Sequence, residues 1–221
     1  MKEKIFLSWS GGKDSSLAYY YIYEARAYEI AGLLTTVTEG YNRVSMHGVR
    51  RTLLERQAES LGVPLRALHI PKDCSDKEYD KRMKEVLSGY QKENINCAGF
   101  GDISLEDVRK YREERLARIG MRAIFPLWKR DPTELMRDFI DLGFKAIVTC
   151  VDSRVLDSSF AGELINDDFI SRLPSHVDPN GENGEFHSFV FDGPIFKQRI
   201  EVSTGGRIMR DGFYFCDLLP G

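Results

Sequence analysis

The chain of 221 residues carries 31 Lys and Arg against 34 Asp and Glu, a formal net charge of −3. At roughly 150 residues per domain this is one large domain, or a domain with a smaller companion, and it is long enough to bury a real core. Hydrophobic residues at 42% and charged residues at 29% exclude a disordered, collagen-like or disulfide-framework chain, and a pI near 5.9 argues against a dedicated nucleic-acid binder.

The first element, Ile5 to Trp9, is a short apolar run bounded by Gly11-Gly12, a buried-strand signature. Residues from Asp14 to about Arg26 lack Gly and Pro and read as a helix, so the opening unit is strand, glycine turn, helix. Ala31 to Val37 is a second strand. Thr52 to Leu61 is a helix with Leu53, Leu54, Gln57, Ala58 and Leu61 on one face and Gly62 just past its end. Leu65 to Ile70 is a third strand, and Ser75 with Glu78 forms a capping box for a helix to about Tyr90. Ile95 to Phe100 is a fourth strand, Ser104 reads as the cap of a charged helix ending at Gly120, and Asp131-Pro132-Thr133-Glu134 opens a helix that stops at Gly143. The strand Lys145 to Val151 follows. This alternation predicts an α/β fold around a parallel sheet. After about residue 175, alternating segments at Phe186–Asp192, Ile195–Val202 and Gly212–Asp217 predict a small antiparallel unit, too small to hold its own core.

The start of the chain leads into only five mostly apolar residues before Ser10, too few for a secretory signal core, and no window approaches the ~18 apolar residues of a membrane span. The four cysteines form no CxxC pair and the four histidines no HExxH, which excludes a zinc ribbon and a thioredoxin-like motif. A reducing cytoplasm is the expected compartment.

Chemistry concentrates in two places. Ser10-Gly11-Gly12-Lys13-Asp14-Ser15-Ser16 lies between the first strand and the first helix. Two glycines let the backbone turn sharply and approach an anion, and the helix N-terminus favours phosphate there. Lys13 adds a mobile positive charge and the serines add hydroxyl donors. Asp14 would repel a bare phosphate, so it reads as a helix cap or a Mg²⁺ contact. A plain glycine turn before a capped helix fits the same spacing, and neither GxxxxGK[ST] nor GxGxxG is satisfied. The second place, Gly181-Glu182-Asn183-Gly184-Glu185-Phe186-His187-Ser188, holds two carboxylates and a histidine in a glycine-bracketed loop entering a strand. It suits Mg²⁺, an ammonium ion or a general base, and equally an acidic turn at the head of a hairpin.

The first motif, SGGKDS, resembles the pyrophosphate loop of N-type ATP pyrophosphatases. The second, followed by Asp192-Gly193-Pro194, resembles the GEGGE signature of the diphthine–ammonia ligase family, and with Gly101 near the middle the match covers nearly the whole chain. The resemblance implies a doubly wound, Rossmann-like α/β nucleotide domain of the adenine-nucleotide alpha-hydrolase kind. It assigns residues 1–100 to ATP binding and 101–221 to a smaller α+β acceptor region. It also implies cleavage of ATP to AMP and pyrophosphate, with ATP and Mg²⁺ as cofactors. His187 stands where the family usually carries Glu, Asn183 replaces a Gly, and Gly101-Asp102-Ile103-Ser104 departs from the family's middle segment. The chain is therefore nearer in look to bacterial members, which implies an acceptor carboxylate other than diphthine.

The resulting expectation is an ATP-dependent carboxylate–ammonia ligase. Lys13, Glu182, Glu185 and His187 are its catalytic candidates. Ser10 to Ser16 with Thr35 and Thr36 would hold ATP, and Asp14 would contact Mg²⁺. His47, Arg50, Gly101, Asp102 and Asn183 would meet the acceptor. The expected partners are a small-molecule or protein carboxylate and ammonia, without membrane or nucleic acid, and with a homodimer as the assembly to test. A non-catalytic adenine-nucleotide binder and a tRNA-thiolation enzyme using the same loop remain as alternatives; the latter would need a reactive cysteine such as Cys150. Asp152, Arg154 and Asp157, beyond the strand 145–151, are candidates for supporting groups at the ligand edge.

Overall fold

The computed structural model describes residues 2–40, 43–44 and 48–221. In chain order the elements are β1 (Glu3–Ser8), α1 (Lys13–Glu24), β2 (Tyr28–Thr38), β3 (Arg43–Val44), α2 (Arg51–Leu61), β4 (Leu65–Ile70), α3 (Asp76–Lys92) and β5 (Cys97–Gly99). They continue as α4 (Glu106–Ala117), β6 (Arg122–Ile124), α5 (Pro132–Asp141), β7 (Lys145–Asp152), α6 (Asp167–Arg172), β8 (Phe186–Asp192), β9 (Val202–Arg210) and β10 (Phe213–Pro220).

Five strands pair in parallel in the order β4-β2-β1-β5-β6, and β3 adds two antiparallel pairs to the end of β2. Alternate residues of β1 feed opposite faces. Ile5 and Leu7 pack with Leu17 and Ile22 of α1 and Leu53 and Leu54 of α2, whereas Phe6 packs with Leu87 and Tyr90 of α3 and Leu116 of α4. The expected doubly wound α/β sheet is therefore present. From β1 the chain winds outward through β2 and β4, and from β5 in the other direction through β6. The crevice beyond the carboxyl ends of β1 and β5 is the switch point at which such sheets bind ligands.

A second, antiparallel sheet runs β8-β7-β10-β9. Ala146, Val148, Phe189 and Val190 of this sheet share one apolar cluster with Leu17 and Leu53, so it leans on the α1–α2 layer rather than enclosing a separate core.

Local signals account for several boundaries. Ser75 accepts the Glu78 N–H and Asp131 accepts the Glu134 N–H as N-caps, and Gly62 ends α2 with φ +72°. Three readings change. Lys145–Asp152 is a strand, as read, but it joins the antiparallel sheet: Cys150 pairs with His187 on one side and Phe215 on the other. Membership of a sheet is decided by distant partners, which the local run does not encode. The middle tail strand is Val202–Arg210, not 195–202, because Asp211 and Gly212 both have positive φ (+52° and +83°) and make a two-residue hairpin turn that fixes the register. Ser104 does not cap α4, whose N-cap is Leu105; the Ser104 N–H instead donates to Glu182.

Candidate active site

The loop from β1 to α1 is tied down from behind. Gln57, fully buried on the apolar face of α2, donates through Nε2 to the carbonyls of Gly11 (3.0 Å) and Val190 (2.6 Å) and accepts from Trp9 Nε1 (2.9 Å). The Val190 N–H also donates to the Gly11 carbonyl at 2.9 Å. Gly11 sits at φ +78°, and a Cβ there would lie 2.7 Å from Gln57 Oε1, so both conformation and space require glycine. Gly12, the N-cap of α1, offers no capping side chain, and the Lys13 N–H takes Ser188 Oγ of β8 as its acceptor at 3.2 Å. Ser15 Oγ donates to the Gly12 carbonyl and shares a 3.3 Å hydrogen bond with Ser10 Oγ.

Lys13 is not the mobile cation expected. Its side chain is buried, its ammonium lies 2.8 Å from the Asp14 carboxylate, and it stands 5.5 Å from the centre of the Phe186 ring. A buried ammonium without a partner would be costly, so the adjacent carboxylate neutralises it. Asp14 is held in turn by the buried Asn180, whose Nδ2 donates to Oδ1 at 2.8 Å.

The two glutamates of the second motif face different ways. Glu182 Oε1 accepts the N–H groups of Ile103 and Ser104, both at 3.1 Å, fastening this loop to the segment after β5. Burial pushes its carboxyl above the ordinary range, and the nearby Asp14 charge adds to the effect. Glu185 turns inward. Its oxygens accept from Asn183 N (2.9 Å), Asn183 Nδ2 (3.0 Å) and Asp178 N (3.1 Å). Burial pushes this carboxyl up, but the hydrogen bonds from Asn183 and the backbone outweigh it and hold Glu185 below the usual range. His187 is pushed down to about 4, first by burial and then by the Lys13 charge, so it is a neutral imidazole at physiological pH.

A cavity of about 960 Å³ opens where these parts meet, within the size range of small-molecule sites. Ser10, Gly12, Lys13, Asp14 and Ser15 of the first loop line it, with Glu182 and His187 of the second. Thr35 and Thr36 of β2 and Gly101 and Asp102 after β5 complete the part nearest the switch point. Gly101 has a steric reason to be glycine, since a Cβ there would lie 2.9 Å from the Asp14 carbonyl carbon and oxygen. Gly11, Ser16, Asn183 and Glu185 do not reach the wall. Arg50 does not reach it either: its guanidinium pairs with Asp217 of β10, which also binds Arg43, so its charge joins the second sheet to the start of α2. Asp152 is engaged by its neighbour Arg154. His47 lies outside the described residues. Gln57, Asn180 and Ser188 were not among the site residues expected from the sequence, although Gln57 was placed on its helix face and Ser188 within the second motif. A glutamine on an otherwise apolar helix face was the one available signal, for Gln57.

Residues 2–123 match the family profile described as diphthamide synthase N-terminal domain, and residues 131–218 match the diphthamide synthase C-terminal domain. The chain belongs to the diphthamide synthase family. It is 24% identical over 187 residues to the diphthine–ammonia ligase of Mus musculus, covering 81% of this chain and 69% of that protein. It is 26% identical over 175 residues to the Rattus norvegicus diphthine–ammonia ligase, covering 76% of this chain and 62% of the relative. With the Homo sapiens diphthine–ammonia ligase it shares 23% over 185 residues, 81% of this chain and 69% of the relative. The matches thus span about two thirds of these relatives. Within the family frame, the first profile carries the loop 10–16, and the second carries Asn180 and Ser188, which bond to that loop, and Glu182, which shares its cavity. No helix among the described residues is long and apolar enough to cross a membrane.

Proposed function

We propose that this protein is an ATP-dependent, AMP-forming carboxylate–ammonia ligase whose acceptor is a carboxylate other than diphthine. One observation carries the reading: a helix start with no capping side chain at Gly12 and a buried lysine shares a cavity, at the sheet's switch point, with a half-buried glutamate held in place by two backbone N–H groups. In this reading residues 1–100 carry the nucleotide, and residues 101–221 supply the acceptor side together with the face of α3 that lines the cavity.

The triphosphate enters at the N-terminus of α1 and takes the place of Asp14 on Lys13. Lys13 and the first-turn N–H groups then stabilise the charge that builds on the pyrophosphate as the acceptor carboxylate attacks the α-phosphorus. Asp14, released from Lys13, is the residue to hold Mg²⁺. Its side chain is one-third exposed, and no group of three metal-ligating side chains occurs among the described residues. This fits a cation bound through one or two carboxylates and the substrate's own phosphates, where it would neutralise phosphate charge. In the second half-reaction ammonia attacks the acyl carbon and AMP leaves. Glu182, with its raised pKa, receives a proton from the attacking nitrogen, and neutral His187 accepts a hydrogen bond beside it. Glu185 acts only by shaping the loop that presents Glu182. Thr35 and Thr36 flank the nucleoside.

The thiolation alternative needs a thiolate in the cavity. None of the cysteines lines it, and burial pushes Cys150 up to about 12, which counts against that reading. The test is product analysis with ATP, Mg²⁺, ammonium and a panel of carboxylic acids. Pyrophosphate formed only when an acid is present, and AMP released in equal amount once ammonium is added as well, are the expected result. Tight ATP binding without turnover under any acid would favour a nucleotide-binding role instead.

A further inference from the structure

The cavity is larger than its catalytic end. Beyond Gly101 it continues between α3 and α4 on the Phe6 face of the sheet, lined there by Tyr79, Met83 and Tyr111 among others. The same stretch carries Lys84, Arg112, Arg115 and Arg118 against only Asp80 and Asp102, a surplus of two positive charges on the cavity wall. Two of the guanidiniums are fixed. Arg112 pairs with Asp102 at 3.0 Å and lies 4.4 Å from the centre of the Phe100 ring. Arg115 pairs with Asp80 and lies 4.3 Å from the Tyr111 ring centre. An arginine has five N–H donors, and a single carboxylate partner leaves several of them for a ligand. Held by an acid and an aromatic ring, such a guanidinium binds an incoming anion with little further loss of side-chain freedom.

We propose that the part of the cavity between α3 and α4 is the acceptor pocket, and that it takes a carboxylic acid with a flat apolar body and a second anionic group. This rests on the ligase reading above. The nucleotide is a poor occupant of this part, because its anionic portion is its phosphates and the loop 10–16 already receives those. Adenine is neutral: the aromatic faces would suit it, but it carries no anionic group to meet the surplus of positive charge. The acid's reacting carboxylate faces Lys13 and Glu182, its body lies against Tyr79, Met83 and Tyr111, and its second anionic group meets Arg112 and Arg115. An acceptor carrying a quaternary ammonium at that end is repelled.

The experiment is calorimetric titration of the intact protein, saturated with the uncleavable analogue α,β-methylene-ATP and Mg²⁺, with three arenecarboxylates: isophthalate, benzoate and 4-(trimethylammonio)benzoate. Isophthalate is expected to bind at least ~10-fold more tightly than benzoate, and the cationic acid more weakly than both. Arg112→Gln and Arg115→Gln should each remove most of that preference, Arg115→Lys should keep part of it, and the affinity for α,β-methylene-ATP should stay unchanged. Equal binding of isophthalate and benzoate, preference for the cationic acid, or binding of none of the three overturns the proposal. So does a parallel loss of analogue affinity in the arginine variants, which would put the nucleotide in this part. The analogue titration done first separates the two levels: if α,β-methylene-ATP itself fails to bind, the ligase reading falls and not the pocket assignment alone.

Discussion

The loop 10–16 and the loop 178–188 meet at one cavity, and both turn on glycines with positive φ (Gly11 at +78°, Gly181 at +64°, Gly184 at +86°). They are held in opposite ways. The first is braced from behind by Gln57 and Val190, which keeps Gly12, Lys13, Asp14 and Ser15 on the cavity wall. The second is braced from within, because Glu185 commits its carboxylate to Asn183 and Asp178 and leaves Glu182 and His187 as the groups on the wall. Two carboxylates three residues apart thereby acquire opposite pKa shifts, one serving the shape of the loop and one available to a ligand. Chemical similarity in a motif does not imply a shared role.

The contrast is tested most severely at Lys13. Lys13→Ala leaves the Asp14 carboxylate facing the incoming phosphates without its cation. Acceptor-dependent pyrophosphate release should fall at least ~100-fold, about 3 kcal/mol of transition-state stabilisation, with an unchanged circular dichroism spectrum. A variant that still turns over normally would remove the loop from the chemistry. Next comes the brace. Gln57→Leu keeps the volume but strands Trp9 Nε1 and the Val190 carbonyl in an apolar layer, so chemical denaturation should register a loss of ~2–4 kcal/mol. The ATP KM should rise with it, since the glycine turn relaxes. A stable Gln57→Leu protein with an unaltered KM would mean that the loop holds its shape unaided.

The order of this contrast between sequence and structure follows from range. The loop 10–16, the capping box at Ser75 and the Asp131-Pro132 helix start depend on residues a few positions apart, and their signals are local. Gln57 donating to Val190 is a contact across 133 residues, and Asn180 holding Asp14 spans 166. The strand character of Lys145–Asp152 was legible, but its antiparallel partners β8 and β10 were not, since pairing is settled by which edges the rest of the fold leaves open. The same applies to Arg50. A basic residue before a helix suggests an anionic ligand, and its partner is instead a carboxylate on the last strand.

Within the second loop the comparison narrows to one pair of substitutions. Glu185→Gln presents an amide N–H₂ where the carboxylate accepted from Asn183 and Asp178, and should destabilise the protein by about 1–3 kcal/mol. The pH dependence has a definite sign. The Glu185 pKa is lower folded than its ordinary 4.5, so its contribution is complete above that value and is lost as pH falls through the folded pKa. Thermal unfolding of wild type and Glu185→Gln should therefore converge in acid; a gap that persists at pH 3 would show that packing, not ionisation, carries the effect.

Glu182→Gln gives the smallest change in stability and the opposite sign. The amide oxygen still accepts from Ile103 and Ser104, while the desolvated charge beside Asp14 is gone. Because the Glu182 pKa is raised in the folded state, the ionised wild type loses stability as pH rises from about 4.5 through the folded value. Above that window the variant should melt higher by ~1–3 °C, and below it the two should coincide. Activity should move against stability. Amide formation with ammonium should fall steeply in Glu182→Gln, while the pyrophosphate release that needs only ATP and acid is retained. A group that merely supported the fold would lose both together, and a variant less stable than wild type at neutral pH would mean that the carboxylate, like that of Glu185, belongs to the loop rather than to the ligand.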